Sequence, residues 1–243
     1  MSRDVINLQR YFARKKNDKF IFNETDIHHI KDVMRCKPND KIEVVSDGIL
    51  YICEILNLVN FDVEVLEEIK EANELDVHIT IAFGLIKENK MDFMLQKATE
   101  LGISEFIPLN NTRSVVNINA KDASKKIDRW TRICVDAGRQ SKRTYLPKVK
   151  DISKLENLIK EEYNHKYICS LDESAINLKK VLVNFQKYDR ILFVVGPEGG
   201  FTKEEEEFLI NNSFSRVSLG SRVLRSETVA LFLGSVIGMD REK

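Results

Sequence analysis

Residues 191 to 206, "ILFVVGPEGGFTKEEE", break an apolar strand into Gly196-Pro197-Glu198-Gly199-Gly200 and then start a helix rich in glutamate. A glycine-rich turn between strand and helix offers bare backbone N–H groups and the positive end of a helix dipole, the usual chemistry of an anion cradle. Here the turn has no lysine and no Gly-Lys-Ser/Thr ending, and Glu204 to Glu207 follow it. A ligand above this turn is therefore not expected to be held by phosphates. Thr202 and Glu205 have capping-box spacing, which accounts for the helix start without any ligand, and the acidic run suits the positive helix end. Three glycines around Pro-Glu exceed what a simple turn needs, and they point to backbone lying close to a ligand.

A second loop, "LGSRVLRSETVALFLG", ends a strand at Leu219-Gly220 and restarts a helix with Ser226 as N-cap. Arg222 and Arg225 flank Val223 and Leu224 there. Two apolar residues in such a loop either present a flat face to a base or tuck into the core. A third loop, "RQSKRTYLP" at 139 to 147, follows a helix on which Lys125, Arg129 and Arg132 share a face. Residues 121 to 150 carry ten Lys/Arg against three Asp, a net +7, although the whole chain balances 38 basic against 38 acidic residues. The opening adds Arg3, Arg10, Arg14, Lys15, Lys16 and Lys19 against Asp4 and Asp18, a net +4. Charge of this density beside Gln140, Ser141 and Arg143 is expected to grip RNA phosphates, with Arg10 and Lys15 taking part; a solvated helix face is the plain alternative.

The elements that position these loops follow two patterns. Up to about residue 72 the runs "KFIF", "DKIEVVSD", "ILYICEILN" and "FDVEVLEEI" read as short strands separated by turn signals, with one helix, "ETDIHHIKDVMRC", before Pro38. That suits a small β-barrel. After a charged linker, "EEIKEANELD", strand and helix alternate. "HITIAFGL", "EFIPL", "KYICSL", "RILFVV" and "RVSLG" read as strands. "MDFMLQKATELG", with Met91, Met94, Leu95, Ala98 and Leu101 on one face, reads as a helix, as do "SKKIDRWTRICVDAGRQ", "ISKLENLIKEE" and "AINLKKVLVNF". Alternation of this kind predicts an α/β domain from 73 to 243 whose parallel sheet is covered on both faces. Ligands in such folds lie at the carboxyl ends of the strands, where all three loops belong.

Composition narrows the class further. The opening residues lack the apolar core of a secretory signal. The longest apolar run, "TVALFLGSVIGM", is too short to span a bilayer. Cys36, Cys53, Cys134 and Cys169 are scattered, and the four histidines do not cluster beyond His28-His29. A reduced cytoplasmic protein without membrane or metal partners is expected.

Taken in order, "RYF", "HHI", "KPND", "MDFMLQKATELGISEFIPL", "TRSVV", "QSKRTYLP", "GPEGGFT" and "LGSRVLRSETVAL" resemble the RsmE family over nearly the whole chain. These are ribosomal RNA small subunit methyltransferases of the SPOUT superfamily, acting on N3 of a uridine in 16S rRNA. The resemblance implies an N-terminal PUA-like barrel at 1 to 72 and a SPOUT-type α/β domain at 73 to 243. It also implies a C-terminal deep trefoil knot, S-adenosylmethionine as cofactor, the small ribosomal subunit as partner and a homodimer. By the same resemblance Gly196, Pro197, Glu198, Gly199 and Gly200 form one cofactor loop, and Leu219, Gly220, Leu224, Arg225, Glu227 and Thr228 the other. Gln140, Ser141 and Arg143 fall in the family's Gln-Ser-Gly-Arg loop. Lys142 stands where that loop usually has glycine, Tyr145 where arginine is common, and Ser221 where proline is common.

S-adenosylmethionine carries no phosphate, so the missing lysine of the glycine turn is accounted for. N3 of uridine becomes nucleophilic on losing its proton, and a positioned guanidinium would stabilise the resulting charge. Arg143 is the first expectation for that role and Arg225 the second; Glu198 and Glu227 are candidates to take the proton by position only, the alternative being that each simply holds its loop. The rival readings are a sister methyltransferase acting on a ribose 2′-hydroxyl or a guanine, and a non-catalytic RNA-binding assembly factor.

Overall fold

The computed structural model describes residues 8–70, 73–114 and 116–241. The expected boundary after residue 72 falls at residues 71 and 72, which lie outside that set, as do Arg3, Asp4 and one valine of "TRSVV". By compactness the chain divides into a first unit, up to Glu74 together with Gly138–Tyr145, and a second unit of Leu75–Ala137 and Leu146–Lys243.

In the first unit β1 (Arg10–Phe12), β4 (Lys41–Ser46), β5 (Ile49–Asn57) and β6 (Asp62–Ile69) form a four-stranded sheet in the order β1-β4-β5-β6. β2 (Arg14–Lys16) and β3 (Lys19–Ile21) form a hairpin. Sheet and hairpin share one core of Tyr11, Phe20, Phe22, Ile42, Tyr51 and Phe61, among others. The helix expected at 24 to 36 begins as α1 (Glu24–His28), capped by Asn23, and runs on as a π-turn over His29–Val33. β1 and β2 were hidden by their basic residues. Arg10 is a strand residue buried to 4 % exposure because its Nε donates to Glu43 Oε2 at 2.7 Å.

The second unit holds a wholly parallel seven-stranded sheet, in the order β11 (Ile176–Asn177), β13 (Ser215–Ser218), β10 (His165–Cys169), β12 (Arg190–Val195), β7 (His78–Gly84), β8 (Glu105–Leu109) and β9 (Lys148–Val149). Its centre is β12 beside β7, both nearly continuous apolar runs interrupted inside only by buried Thr80, as a sheet covered on two faces demands. Alternation sorts β12 residues between the two faces. Ile191, Phe193 and Val195 join the core that holds Met94 and Leu95 of α2 (Glu88–Glu100) and Ala230 and Leu233 of α7 (Ser226–Arg241). Leu192 and Val194 join the opposite core with Leu209 of α6 (Lys203–Asn211). α7 approaches α2 closely at Gly234, where a Cβ would stand 2.9 Å from Leu101 Cβ.

β8 (Glu105–Leu109), β10 (His165–Cys169), β13 (Ser215–Ser218) and α3 (Ala120–Gln140) fall where the sequence pattern puts them. Two helices are shorter than expected. α4 is a single turn, Leu155–Leu158, where Ser153 and Asn157 side chains bond to each other at 3.0 Å. α5 is confined to Leu178–Leu182, because Ile176–Asn177 extends as β11 along β13 and the Asn177 side chain then caps the helix. The two-residue β9 (Lys148–Val149) carried no sequence signal of its own.

Candidate active site

Beyond the carboxyl ends of β10, β12 and β13 lies a cleft of about 690 Å³, lined wholly by the second unit. The glycine turn forms one side, with Gly196, Pro197, Glu198 and Gly200 on the lining. Gly200 has φ +69° and Gly220, across the cleft, has φ +116°, conformations that side-chain-bearing residues rarely adopt. Gly199 faces away: a Cβ there would meet Arg113 Cβ at 3.1 Å, and Arg113 Nη1 donates to the carbonyls of Gly199 at 3.3 Å and Phe201 at 3.1 Å. The turn also rests on β7, since a Cβ on Gly84 would lie 2.6 Å from Pro197 Cδ. The capping box is present as read: Thr202 Oγ1 accepts from Glu205 N–H at 3.1 Å and Glu205 Oε2 from Thr202 N–H at 2.9 Å.

The second wall comes from Leu219, Gly220, Leu224 and Arg225, all on the lining, with Ser226 Oγ donating to the Gly196 carbonyl at 2.8 Å and so joining the two walls. Val223 is 77 % exposed at the rim and so is not a core residue, whereas Leu224 is partly buried against the core. Thr228 is exposed and lies outside the lining. Glu227 is buried in the first turn of α7. Its Oε1 lies 3.6 Å from Lys90 Nζ, and its Oε2, also buried, finds no hydrogen-bond partner among the described residues.

Sequence reasoning missed a third wall. Lys87 and Lys90, at the start of α2, line the cleft, and Lys90 Nζ lies 2.5 Å from Glu198 Oε1. The hydrogen bond from Lys90 holds the Glu198 carboxyl below the usual carboxylate range, and the same contact raises the Lys90 ammonium. Ser170 and Leu171, past the end of β10, and Glu206 of α6 complete the lining; Glu206 Oε1 accepts from Arg216 Nε at 2.6 Å. The only sequence signal for these residues was the rule that ligands sit beyond strand ends.

The residues expected to meet RNA are distributed differently. Lys125 and Arg132 are exposed on α3, whereas Arg129 is paired with Glu88 and Asp92 of α2. Lys15 Nζ lies 4.6 Å from the centre of the Tyr51 ring. Arg10 corrects its expectation: besides Glu43 it donates to the carbonyls of Lys142 and Arg143, so a buried guanidinium with three acceptors has no face for a phosphate.

The loop of Gln140, Ser141 and Arg143 belongs to the first unit and is held there. Arg143 is 4 % exposed; its Nη2 and Nε donate to Glu74 Oε2 at 2.7 and 3.1 Å. Glu74 Oε1 in turn accepts the N–H groups of Thr144 at 2.8 Å and Tyr145 at 2.9 Å. The segment read as an exposed charged linker thus supplies the carboxylate that shapes this loop. Lys142 adopts φ +59°, the left-handed conformation a glycine would take, and its Nζ contacts Glu43 Oε2 at 2.9 Å.

The geometry fits S-adenosylmethionine in three respects. The volume lies in the range of small-molecule sites. The walls combine glycines in positive-φ conformations with apolar Leu219, Leu224 and Val229, which suit an adenosine. Charged groups on the lining, Arg225 and the Lys90–Glu198 pair, are of the kind that the cofactor's carboxylate and amine would meet. Among the described residues no group of histidine, cysteine or carboxylate side chains could hold a metal ion, and no helix is long and apolar enough to cross a membrane.

Comparison with known proteins agrees with this architecture. A model of the RNA methyltransferase domain matches residues 73–238, and a model of the RNA methyltransferase PUA domain matches residues 22–62. The chain is 34 % identical to ribosomal RNA small subunit methyltransferase E of Bacillus subtilis, over 97 % of this chain and 98 % of that one. It is 31 % identical to the protein of the same name from Mesomycoplasma hyopneumoniae, over 93 % and 97 %. A crystal structure of ribosomal RNA small subunit methyltransferase E from Neisseria gonorrhoeae bound to S-adenosyl methionine superposes with a TM-score of 0.84 at 27 % identity, covering 96 % of this chain and 98 % of that one. The chain, with its PUA-like first unit and its parallel α/β second unit, therefore belongs to the ribosomal RNA small subunit methyltransferase E family.

Proposed function

We propose that this protein transfers the methyl group of S-adenosylmethionine to N3 of a uridine in 16S rRNA of the small ribosomal subunit. The observation that carries the reading is the cleft itself, built by a glycine turn and a Leu-Arg-Ser-Glu loop at strand ends, without a phosphate-binding lysine in the turn. When bound, S-adenosylmethionine supplies an electrophilic methyl group on a sulfonium sulfur.

The chain's own residues must orient the base, exclude water and stabilise the charge that develops on the uracil as N3 loses its proton. Arg225 lines the cleft, and its guanidinium is always charged, so we assign it that stabilisation. Arg143, in contact with Glu74, is assigned the shaping of the 140–145 loop. Glu198, bonded to Lys90, keeps the glycine turn in place. Exposed Lys87, Lys125, Arg132 and Arg222 are the cations offered to RNA phosphates. The family reading also carries a trefoil knot in the second unit, a homodimer and residence in the cytoplasm, where its substrate is assembled.

The test is methyl transfer from labelled S-adenosylmethionine to small subunits lacking their N3-methyluridine, with the product identified by nucleoside mass spectrometry. N3-methyluridine at one position is the expected result. A methylated guanine or ribose would move the protein to a sister activity. Cofactor binding and transfer both absent would leave only an RNA-binding role.

A further inference from the structure

α2 makes a contact that binding and charge stabilisation, as described, do not explain. Lys90 stands in the first turn of α2, and its Nζ lies between a carboxylate of the glycine turn, Glu198 Oε1 at 2.5 Å, and one of α7, Glu227 Oε1 at 3.6 Å. The Lys90 side chain, 26 % exposed, itself lines the cleft. It thus reaches both cofactor walls from a third element. If its charge were removed, the two carboxylates would lose the one cation that contacts both of them among the described residues. Like charges in a partly desolvated site repel, and the walls that carry them would separate. Lys87, just before α2, and Arg225, just before α7, also face Glu198, but as more distant charges without its hydrogen bond.

We propose that Lys90 is the positioning residue of the cofactor cleft: by bridging Glu198 and Glu227 it fixes the separation of the glycine turn and the α7 loop, so that S-adenosylmethionine meets a preformed pair of walls. The inference rests on the functional reading above. It gives Lys90 no contact with the reacting atoms. A salt bridge that merely stabilised the fold would leave cofactor affinity unchanged, which separates the two roles.

The experiment compares the full chain with Lys90→Met, Lys90→Arg, Glu198→Gln and the double variant K90M/E198Q. Affinity for S-adenosylmethionine is measured by calorimetry across pH, with thermal unfolding as a check on folding. K90M is expected to bind about 10-fold more weakly with an unfolding midpoint near wild type, and K90R to recover most of the loss. The double variant is expected to bind no more weakly than K90M, because each change removes the same bridge.

The pH profile supplies an independent readout. Glu198 is held ionised by the hydrogen bond from Lys90, so the bridge is intact at neutral pH and breaks as pH falls through the lowered carboxyl value. Wild-type affinity should therefore fall at acid pH, and K90M should lack that limb. Affinity in K90M within about twofold of wild type, losses that simply multiply in the double variant, or an unchanged acid limb would each overturn the proposal. A wild type that binds no S-adenosylmethionine would overturn the functional reading and this inference together. Normal wild-type binding with undiminished K90M affinity would overturn this inference alone.

Discussion

Replacing Glu74 puts the assignment of Arg143 to a direct test. Both side chains are largely withdrawn from solvent, at 14 % and 5 % exposure, and the carboxylate accepts from the guanidinium through Oε2 and from two backbone N–H groups through Oε1. Glu74→Ala would leave a buried guanidinium without this counter-charge and two N–H groups without their acceptor. Breaking one side of such a pair costs about 3–5 kcal/mol. For a chain of this size that corresponds to a fall of about 10 °C in the unfolding midpoint of the transition that includes the first unit. Urea titration monitored by far-UV circular dichroism would give the free energy. The cycle of Glu74→Gln, Arg143→Met and both together would isolate the coupling, expected at about 2 kcal/mol. A loss below about 1 kcal/mol for Glu74→Ala, together with an Arg143→Ala protein that is fully stable yet catalytically dead, would refute the reasoning and return Arg143 to the chemistry.

Other expectations follow from the same geometry. Gly84→Ala places a methyl group against Pro197, so the glycine turn must shift; cofactor affinity measured by calorimetry should fall at least about 10-fold while the protein remains folded. Lys142→Ala keeps the unfavourable left-handed backbone and loses the contact with Glu43, whereas Lys142→Gly relieves the backbone. The glycine variant should therefore unfold about 1 kcal/mol later than the alanine variant in urea. Thr202→Ala removes one arm of the α6 capping box and should lower stability by about 1 kcal/mol with little change in cofactor affinity. Arg225→Ala should reduce turnover by two to three orders of magnitude, about the cost of removing one charge-stabilising donor, with a much smaller change in cofactor binding; equal losses in both would remove Arg225 from its assigned role.

The strongest sequence signals came from residues whose environment is decided locally or by simple burial. β7 and β12 were legible as short, nearly continuous apolar runs, α2 because its apolar residues repeat with the helical period, and the α6 cap because Thr202 and Glu205 are near neighbours. β1 was illegible because Arg10, a charge, occupies a buried strand position made tolerable by Glu43, 33 residues away. The shortened α5 was overruled by Ile176–Asn177 pairing with β13, an event that no local propensity records. At the site, both loops that line the cleft were visible in their glycines and in their positions after strands. Lys90 was not, because an ordinary helix lysine becomes functional only when folding brings it to a carboxylate 108 residues away. Glu74 was misread for the same reason: in sequence it is one of several acidic residues in a polar stretch, and only the folded loop distinguishes it.

The strand order of the second unit has a consequence for the timing of synthesis. β10 stands between β12 and β13, so the cleft walls come from residues 168 to 229, apart from the two lysines near 90. A nascent chain that has emerged only through Val195 already possesses β10, β12 and β7, the middle of its sheet, yet has none of the Leu219–Arg225 wall. On the proposed reading of the cleft, capture of S-adenosylmethionine is thereby reserved for chains translated nearly to completion.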